Sequence, residues 1–245
     1  MSRRLIMICC ATGICIGLFF SCNKVRDVPL KRFCNIHMMS GFTFYDTAVP
    51  RYFYYNQSGN PTRVAFDESP GTGTPFYDFF YDNNQRLIRF EEFSTHYYTY
   101  NEEGLAIVDT IISGYAGQDY RYEEKLFYDN QKRIIKSISK LYRAADSPTG
   151  PPDDNPDVGV EHITEYAYDN NGNLVRPGVQ YDRKMNPRRT NQVWMFVDKD
   201  YSVNNPLPGP TRYNALGLPL NNTSMLNFNA VEVVYNCRVL DPLRK

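Results

Sequence analysis

The sequence predicts an all-β protein: a curled antiparallel meander of β-hairpins, in a single layer or a partly closed sheet, with fourteen or more strands. The chain has 20 tyrosines and 15 phenylalanines but one tryptophan, and Tyr and Phe favour strands. Long helical periodicity is hard to find after residue 25. A turn motif also recurs along the chain, which indicates that successive strands are joined as hairpins.

The recurring unit is an aromatic-rich run, then Tyr-Asp or Tyr-Asn, a polar turn and a short apolar run. Asp and Asn side chains bond to nearby backbone in turns, and a following glycine accepts positive φ. Units at Asn84-Gln85, Gln131-Lys132 and Met185-Asn186 lack that glycine. We expect these three hairpins to have a different turn type or a longer loop. The marker residues are Tyr55, Tyr81, Tyr100, Tyr128, Tyr168, Tyr181 and Tyr213.

The clearest unit reads Tyr168-Asp169-Asn170-Asn171-Gly172-Asn173-Leu174, and it resembles the YD repeat of the RHS family. Over about residues 45–237 the series resembles RHS-repeat-type lipoproteins of Bacteroides-like bacteria. The late segments 181–187 and 201–206 and the closing strand at 231–237 are also similar to that group. The resemblance implies a lipoprotein of the cell envelope built from a sheet of hairpins.

The N-terminus has the three parts of a secretory signal. Arg3 and Arg4 precede an uncharged run at 5–20, which is short for a permanent membrane span. Segment 17–22, which ends in Ser21-Cys22, resembles the lipobox of bacterial lipoproteins. We therefore predict a signal peptide at 1–21, lipid such as palmitate on Cys22, and a tether at 22–40. A plain signal peptide or an uncleaved anchor remains the alternative.

The remaining chain is nearly neutral. Without Arg3 and Arg4 it has 25 basic and 27 acidic side chains, and no basic patch suggests a nucleic-acid partner. Residues 41–245 are expected to form one repeat domain. The predicted location is the envelope, with the outer membrane favoured. Residues 23–27 lack an acidic run that would resemble a surface-export signal, so either membrane face stays open.

Only two cysteines remain beyond Cys22, namely Cys34 and Cys237. An oxidising envelope permits a disulfide between them, and closing so long a loop would contribute at most about 5 kcal/mol. Two free, buried thiols are the alternative.

No catalytic, cofactor or metal site is predicted. His37, His96 and His162 are interpreted as ordinary strand positions. Segment 169–173 loosely resembles a calcium loop, but it lacks the downstream glutamate, and turn chemistry explains its residues. Trp194 is expected in the core rather than as a sugar platform.

Charged residues are interpreted as surface features. The doublets Glu91-Glu92, Glu102-Glu103 and Glu123-Glu124 point to opposite faces of a strand and predict solvated charges at the edges. Charges at 86–89 and 132–136 would protect exposed sheet edges. The Pro-rich stretch 144–159 is interpreted as a hairpin loop, with a binding loop as the alternative.

These observations predict a non-catalytic binding or scaffold module held to a membrane by lipid on Cys22. Its partner would be a polysaccharide, another envelope protein or a host surface. The exposed aromatic residues that would contact such a ligand are not identified by the sequence. An envelope enzyme acting on glycans and a shell or chaperone-like protein are the alternatives.

Overall fold

The computed structural model describes residues 31–42, 49–66, 76–115, 118–143 and 157–240. The predicted signal peptide, Cys22 and most of the loop at 144–159 lie outside these residues. The strands are β1 (Lys31–Phe42), β2 (Val49–Tyr55), β3 (Pro61–Phe66), β4 (Tyr77–Tyr81), β5 (Leu87–Glu91), β6 (Thr95–Tyr100), β7 (Ala106–Tyr115), β8 (Gln118–Tyr128), β9 (Ile134–Arg143), β10 (Glu161–Glu165), β11 (Gln180–Met185), β12 (Asn204–Leu207), β13 (Thr223–Met225) and β14 (Phe228–Leu240).

Twelve of these strands form one sheet in the order β10-β9-β8-β7-β6-β5-β4-β3-β2-β1-β14-β13. From β1 to β10 each strand pairs antiparallel with the next in sequence, and β13 pairs antiparallel with β14. The two strands outside this sheet, β11 and β12, form a separate antiparallel pair. The all-β class and the antiparallel meander predicted from the sequence are therefore confirmed.

Contacts between Cα atoms divide the chain into two compact units. One unit is Cys34–Asn236, and it contains the repeats and every site discussed below. The described residues of the other unit are 31–33, at the start of β1, and 237–240, at the end of β14.

Six turns share one geometry, which explains the repeat. In each, the Asp or Asn that follows the marker tyrosine forms two backbone hydrogen bonds, with the residues three and four positions later. Its Oδ1 also accepts the backbone N–H of the residue four positions later, at about 3 Å. The short side chain thus closes the turn from within, as such residues do in Asx turns. The six residues are Asn56, Asp82, Asn101, Asp129, Asp169 and Asn214.

The marker tyrosines join one hairpin to the hairpin before it. The hydroxyl of Tyr81 donates to the carbonyl of Pro61 at 2.7 Å, and that of Tyr100 donates to Leu87 at 2.6 Å. Tyr55, Tyr128 and Tyr168 make the equivalent bonds to Ile36, Ala106 and Ile134. Burial raises the pKa of Tyr100 to about 12, so its hydroxyl keeps the proton that it donates.

Two of the units without glycine do not have the different turn that we expected. Gln85 and Lys132 both have φ of 61°, in the left-handed region that Gly104 and Gly172 occupy elsewhere. The backbone hydrogen bonds of these turns match those of the glycine-containing turns. The prediction was wrong for these two because the Asp82 and Asp129 side chains hold the turn closed around a strained residue.

We expect Lys132→Gly to raise the free energy of unfolding by about 1 kcal/mol. An L-residue in the left-handed region costs about 1–2 kcal/mol, and the extra entropy of glycine in the unfolded chain offsets part of that gain. Urea unfolding at pH 7 measures the difference. Gln131→Gly is the matched control, because Gln131 is the exposed neighbour without positive φ, and it should not be stabilised.

The third unit without glycine has the longer connection that we expected. Segment 186–203, here called the cap, is inserted between β11 and β12 and contains a 3-10 helix at Pro187–Thr190 and helix α1 at Gln192–Val197. Asn191 begins α1, with its side chain accepting the N–H of Val193. We did not predict these helices, because α1 is six residues long and too short to show helical periodicity.

The two faces of the main sheet differ. The inner face, defined by Phe53, Phe79 and Phe90, is buried, whereas the outer face, defined by Tyr54, Arg89 and Tyr97, is largely solvent-exposed. The outer face combines aromatic rings with cationic side chains, such as the Arg89 guanidinium 3.8 Å from the ring centre of Phe80.

The charges at 86–89 and 132–136 do not protect sheet edges, so that expectation was wrong. They lie on β5, β9 and their turns, whereas the terminal strands of the described sheet are β10 and β13. Arg86 and Arg133 instead pair with the turn aspartates Asp82 and Asp129, with Nε–Oδ2 distances of 2.7 and 2.8 Å. These arginines stabilise the turns from which they extend.

Candidate functional site: a charged pocket under the cap

Trp194 fixes the cap against the inner face of the sheet. Its side chain is fully buried, and its ring meets those of Phe53 and Phe79 edge-on, with centroid distances of 5.6 and 5.4 Å. Tyr55 makes a similar contact at 6.3 Å. The prediction that Trp194 belongs to the core is confirmed.

Beside this contact lies a pocket of about 340 Å³. Strands β5, β6 and β7 line it with Phe90, His96, Tyr98 and Asp109, and the cap contributes residues 196–199. This volume is at the lower end of the range for pockets that take small molecules.

His96 and Asp109 form the centre of the pocket. The Nδ1 of His96 lies 2.9 Å from Oδ2 of Asp109, a carboxylate that is 2 % exposed. Burial alone would lower the pKa of His96, but the hydrogen bond to Asp109 and the negative charges of Asp109 and Glu92 outweigh it and raise the pKa to about 9. His96 is therefore an imidazolium at neutral pH, and it is not the ordinary strand residue that we expected.

Glu124 extends the charged cluster behind the pocket wall. The sheet register places it directly opposite Asp109 on the neighbouring strand, so both side chains are on the inner face. Glu124 is 6 % exposed, and it forms an ion pair with Lys199 of the cap. The interpretation of Glu123-Glu124 as a solvated edge doublet was therefore wrong for Glu124.

A second cluster joins the cap to its neighbours. Arg188 contacts Asp198 through Nε at 2.5 Å and Asp200 through Nη1 at 3.8 Å. Arg176 also contacts Asp200 at 3.0 Å. Burial raises the pKa of Asp198, and the nearby Arg188 guanidinium opposes that shift. The cationic side chains that line the pocket are thus each engaged with an acidic group of this chain.

Two groups of the pocket keep unused hydrogen-bonding capacity. Tyr98 is 9 % exposed, yet its hydroxyl has no hydrogen-bond partner among the described residues. The Nε2 of His96 forms an ion pair with Glu92 Oε1 at 3.8 Å, a distance that is too long for a hydrogen bond. Both members of this pair line the pocket together with Tyr98.

The other residues singled out by the sequence lie elsewhere. His37 on β1 and His162 on β10 are exposed. Asp169 uses its Oδ1 to accept two backbone N–H groups of its own turn. Cys34 and Cys237 are each disulfide-bonded, and their pairing with each other stays a prediction.

The remaining members of the acidic doublets lie at the surface, but the prediction that they lie at sheet edges was wrong, because β5 and β8 are interior strands. Glu91 pairs with Arg89 and Glu123 pairs with Arg121 on the outer face, while Glu102 and Glu103 are exposed in a turn. Glu92 differs, because it lines the pocket. In both Glu91-Glu92 and Glu123-Glu124, the first residue thus lies on the outer face and the second lies at or near the pocket.

No family model matches the chain, and no curated protein matches it significantly. Within the described residues, no three His, Cys, Asp or Glu side chains are grouped as metal ligands. No helix in that part of the chain is long and apolar enough to cross a membrane.

The sequence does contain a signal for the side of the strand that Glu124 occupies. Glu124 is two residues from Leu126 and two from Tyr122, so the alternation of a strand places all three side chains on one face. The same spacing places His96 with Tyr98 and Tyr100. Which strand lies opposite each of them follows only from the register.

Proposed function

We propose that this chain is a lipid-anchored, non-catalytic binding module of the cell envelope, and that the pocket under the cap is its binding site. The observation that carries the proposal is the chemistry of the pocket wall. His96 is held by Asp109, Lys199 by Glu124, and Arg188 by Asp198. Ionised groups that are fixed by each other suit selective binding better than proton transfer to a substrate.

The lipid anchor follows from the N-terminal sequence alone. We expect the wild-type chain, expressed in a Gram-negative bacterium, to fractionate with membranes and to carry acyl chains on Cys22. The full chain with Cys22→Ser should lose both properties, because one acyl chain or none gives at most marginal membrane binding. Mass spectrometry of the N-terminal peptide decides, and an unmodified Cys22 in the wild-type chain would contradict the anchor.

The binding role is tested with the same full-length Cys22→Ser chain. On an array of bacterial and host glycans we expect retention of at least one glycan. The same preparation should release no product from a broad set of hydrolase substrates. Product release above that of a heat-denatured sample would overturn the non-catalytic assignment, and absence of any bound glycan would remove the polysaccharide partner.

An envelope enzyme acting on glycans is the second candidate, and one observation favours it. Asp109 and Glu124 are buried carboxylates on directly opposed positions of adjacent strands, and glycosidases use a pair of carboxyl groups about 5–9.5 Å apart. If the chain hydrolyses a glycoside, Asp109→Asn and Glu124→Gln should each abolish that activity. If neither variant changes the measured rate, the activity does not come from this pair.

A further inference from the structure

We infer that the pocket under the cap binds an uncharged sugar unit, whose hydroxyl groups bridge His96, Glu92 and Tyr98. The inference rests on the proposed binding function and specifies its ligand. Three features of the pocket support it: its unused hydrogen-bonding capacity, its charge balance, and its aromatic walls.

The unused hydrogen-bonding capacity of the pocket suits a ligand that both donates and accepts hydrogen bonds. The Nε2–H of His96 and the Glu92 carboxylate form an ion pair at 3.8 Å but no hydrogen bond with each other. A hydroxyl placed to one side of this pair can accept from the Nε2–H and donate to the carboxylate. The Tyr98 hydroxyl, nine-tenths buried in the same wall, can bond to an adjacent hydroxyl of the same ligand. Neighbouring hydroxyls on one ring are characteristic of sugars.

The charge balance of the pocket disfavours an ionic ligand. Each cationic side chain that lines the pocket contacts an acidic side chain of this chain, and Glu92 contacts His96. An anion or an ammonium ion would have to displace one of these partners. Removing one member of a buried ion pair leaves the other charge uncompensated, which is strongly unfavourable. A neutral polyhydroxylated ligand leaves the pairs intact.

Aromatic rings supply the apolar part of the site. Phe196 of α1 meets Tyr98 edge-on at 5.0 Å, and Phe90 lies 5.4 Å from His96. All four line the pocket. Rings of this kind offer an apolar surface to the C–H face of a pyranose. The volume of about 340 Å³ suits a terminal sugar unit rather than a long polymer segment.

The test uses the full chain with Cys22→Ser and a panel of methyl glycosides of glucose, galactose, mannose and N-acetylglucosamine. Saturation-transfer NMR detects binding and calorimetry measures its affinity. We expect at least one glycoside to bind, and Tyr98→Phe and Glu92→Gln each to weaken it tenfold or more. Tyr97→Phe is the matched control, because this neighbour on β6 faces outward and is 46 % exposed; its affinity should equal that of the parent.

Each other outcome contradicts either the sugar site or the proposed non-catalytic function. If no glycoside binds, or if Tyr97→Phe weakens binding as much as Tyr98→Phe, the sugar site is wrong. If tetramethylammonium or acetate binds in the pocket and the glycosides do not, the ligand is ionic. If the spectra show a bound glycoside being cleaved, the sugar site stands and the non-catalytic function fails. Thermal melting of each variant verifies that it is folded.

Discussion

Trp194→Ala is expected to lower the free energy of unfolding by about 3–5 kcal/mol, the range measured when a large buried aromatic side chain is truncated. Trp194 is fully buried and contacts rings on two strands, Phe53 of β2 and Phe79 of β4. Its removal leaves a cavity between the cap and the inner face, and neither rigid element can close it. Urea unfolding followed by circular dichroism measures the change.

Phe93→Ala is the control for this substitution. Phe93 is also aromatic, but it is 68 % exposed, so its truncation should change stability by no more than about 0.5 kcal/mol. Equal losses for the two variants would show that Trp194 is not the contact that holds the cap in place.

The second large effect is a loss of stability as the pH rises. The pKa of His96 is about 9 in the folded protein, above the ordinary value near 6.5. Its protonated form therefore stabilises the fold fully below pH 6.5, and that contribution is lost as the pH rises through 9. The shift corresponds to about 3 kcal/mol, since the side chain is only 15 % exposed.

The measurement compares urea unfolding of the wild-type chain and His96→Gln between pH 6 and 9.5. We expect the wild-type chain to be more stable at pH 6 and the difference to shrink as the pH rises. His162→Gln is the control, because His162 is exposed on β10 and should leave the profile unchanged. A difference between the wild-type chain and His96→Gln that is constant with pH would mean that the His96 charge does not contribute.

The repeated hairpins could be predicted because their cause is local. The aspartate or asparagine closes its own turn, as at Asp82 and Asp169, and the marker tyrosine reaches only the adjoining hairpin. Such interactions act within a few residues or between neighbours, so they leave a visible pattern in the sequence. Gln85 and Lys132 show the limit of that pattern, because their positive φ is imposed by the same aspartate side chains.

The cap and the pocket could not be predicted because they depend on contacts between distant segments. Lys199 and Glu124 are 75 residues apart in sequence, and Asn191 donates to the carbonyl of Gly59 across 132 residues. Nothing near His96 in the sequence indicates that Asp109 will lie beside it. Only the register of β6 against β7 brings the two onto one face.

Binding of a neutral sugar in the pocket under the cap, without cleavage, can be followed by an NMR titration of the full, isotope-labelled Cys22→Ser chain with the methyl glycosides. The side-chain resonances are recorded at each addition. We expect saturable shifts for His96, Tyr98 and Phe196, unchanged outer-face signals such as that of Tyr97, and no product. Shifts confined to the outer face, or the appearance of a free reducing sugar, would contradict this proposal.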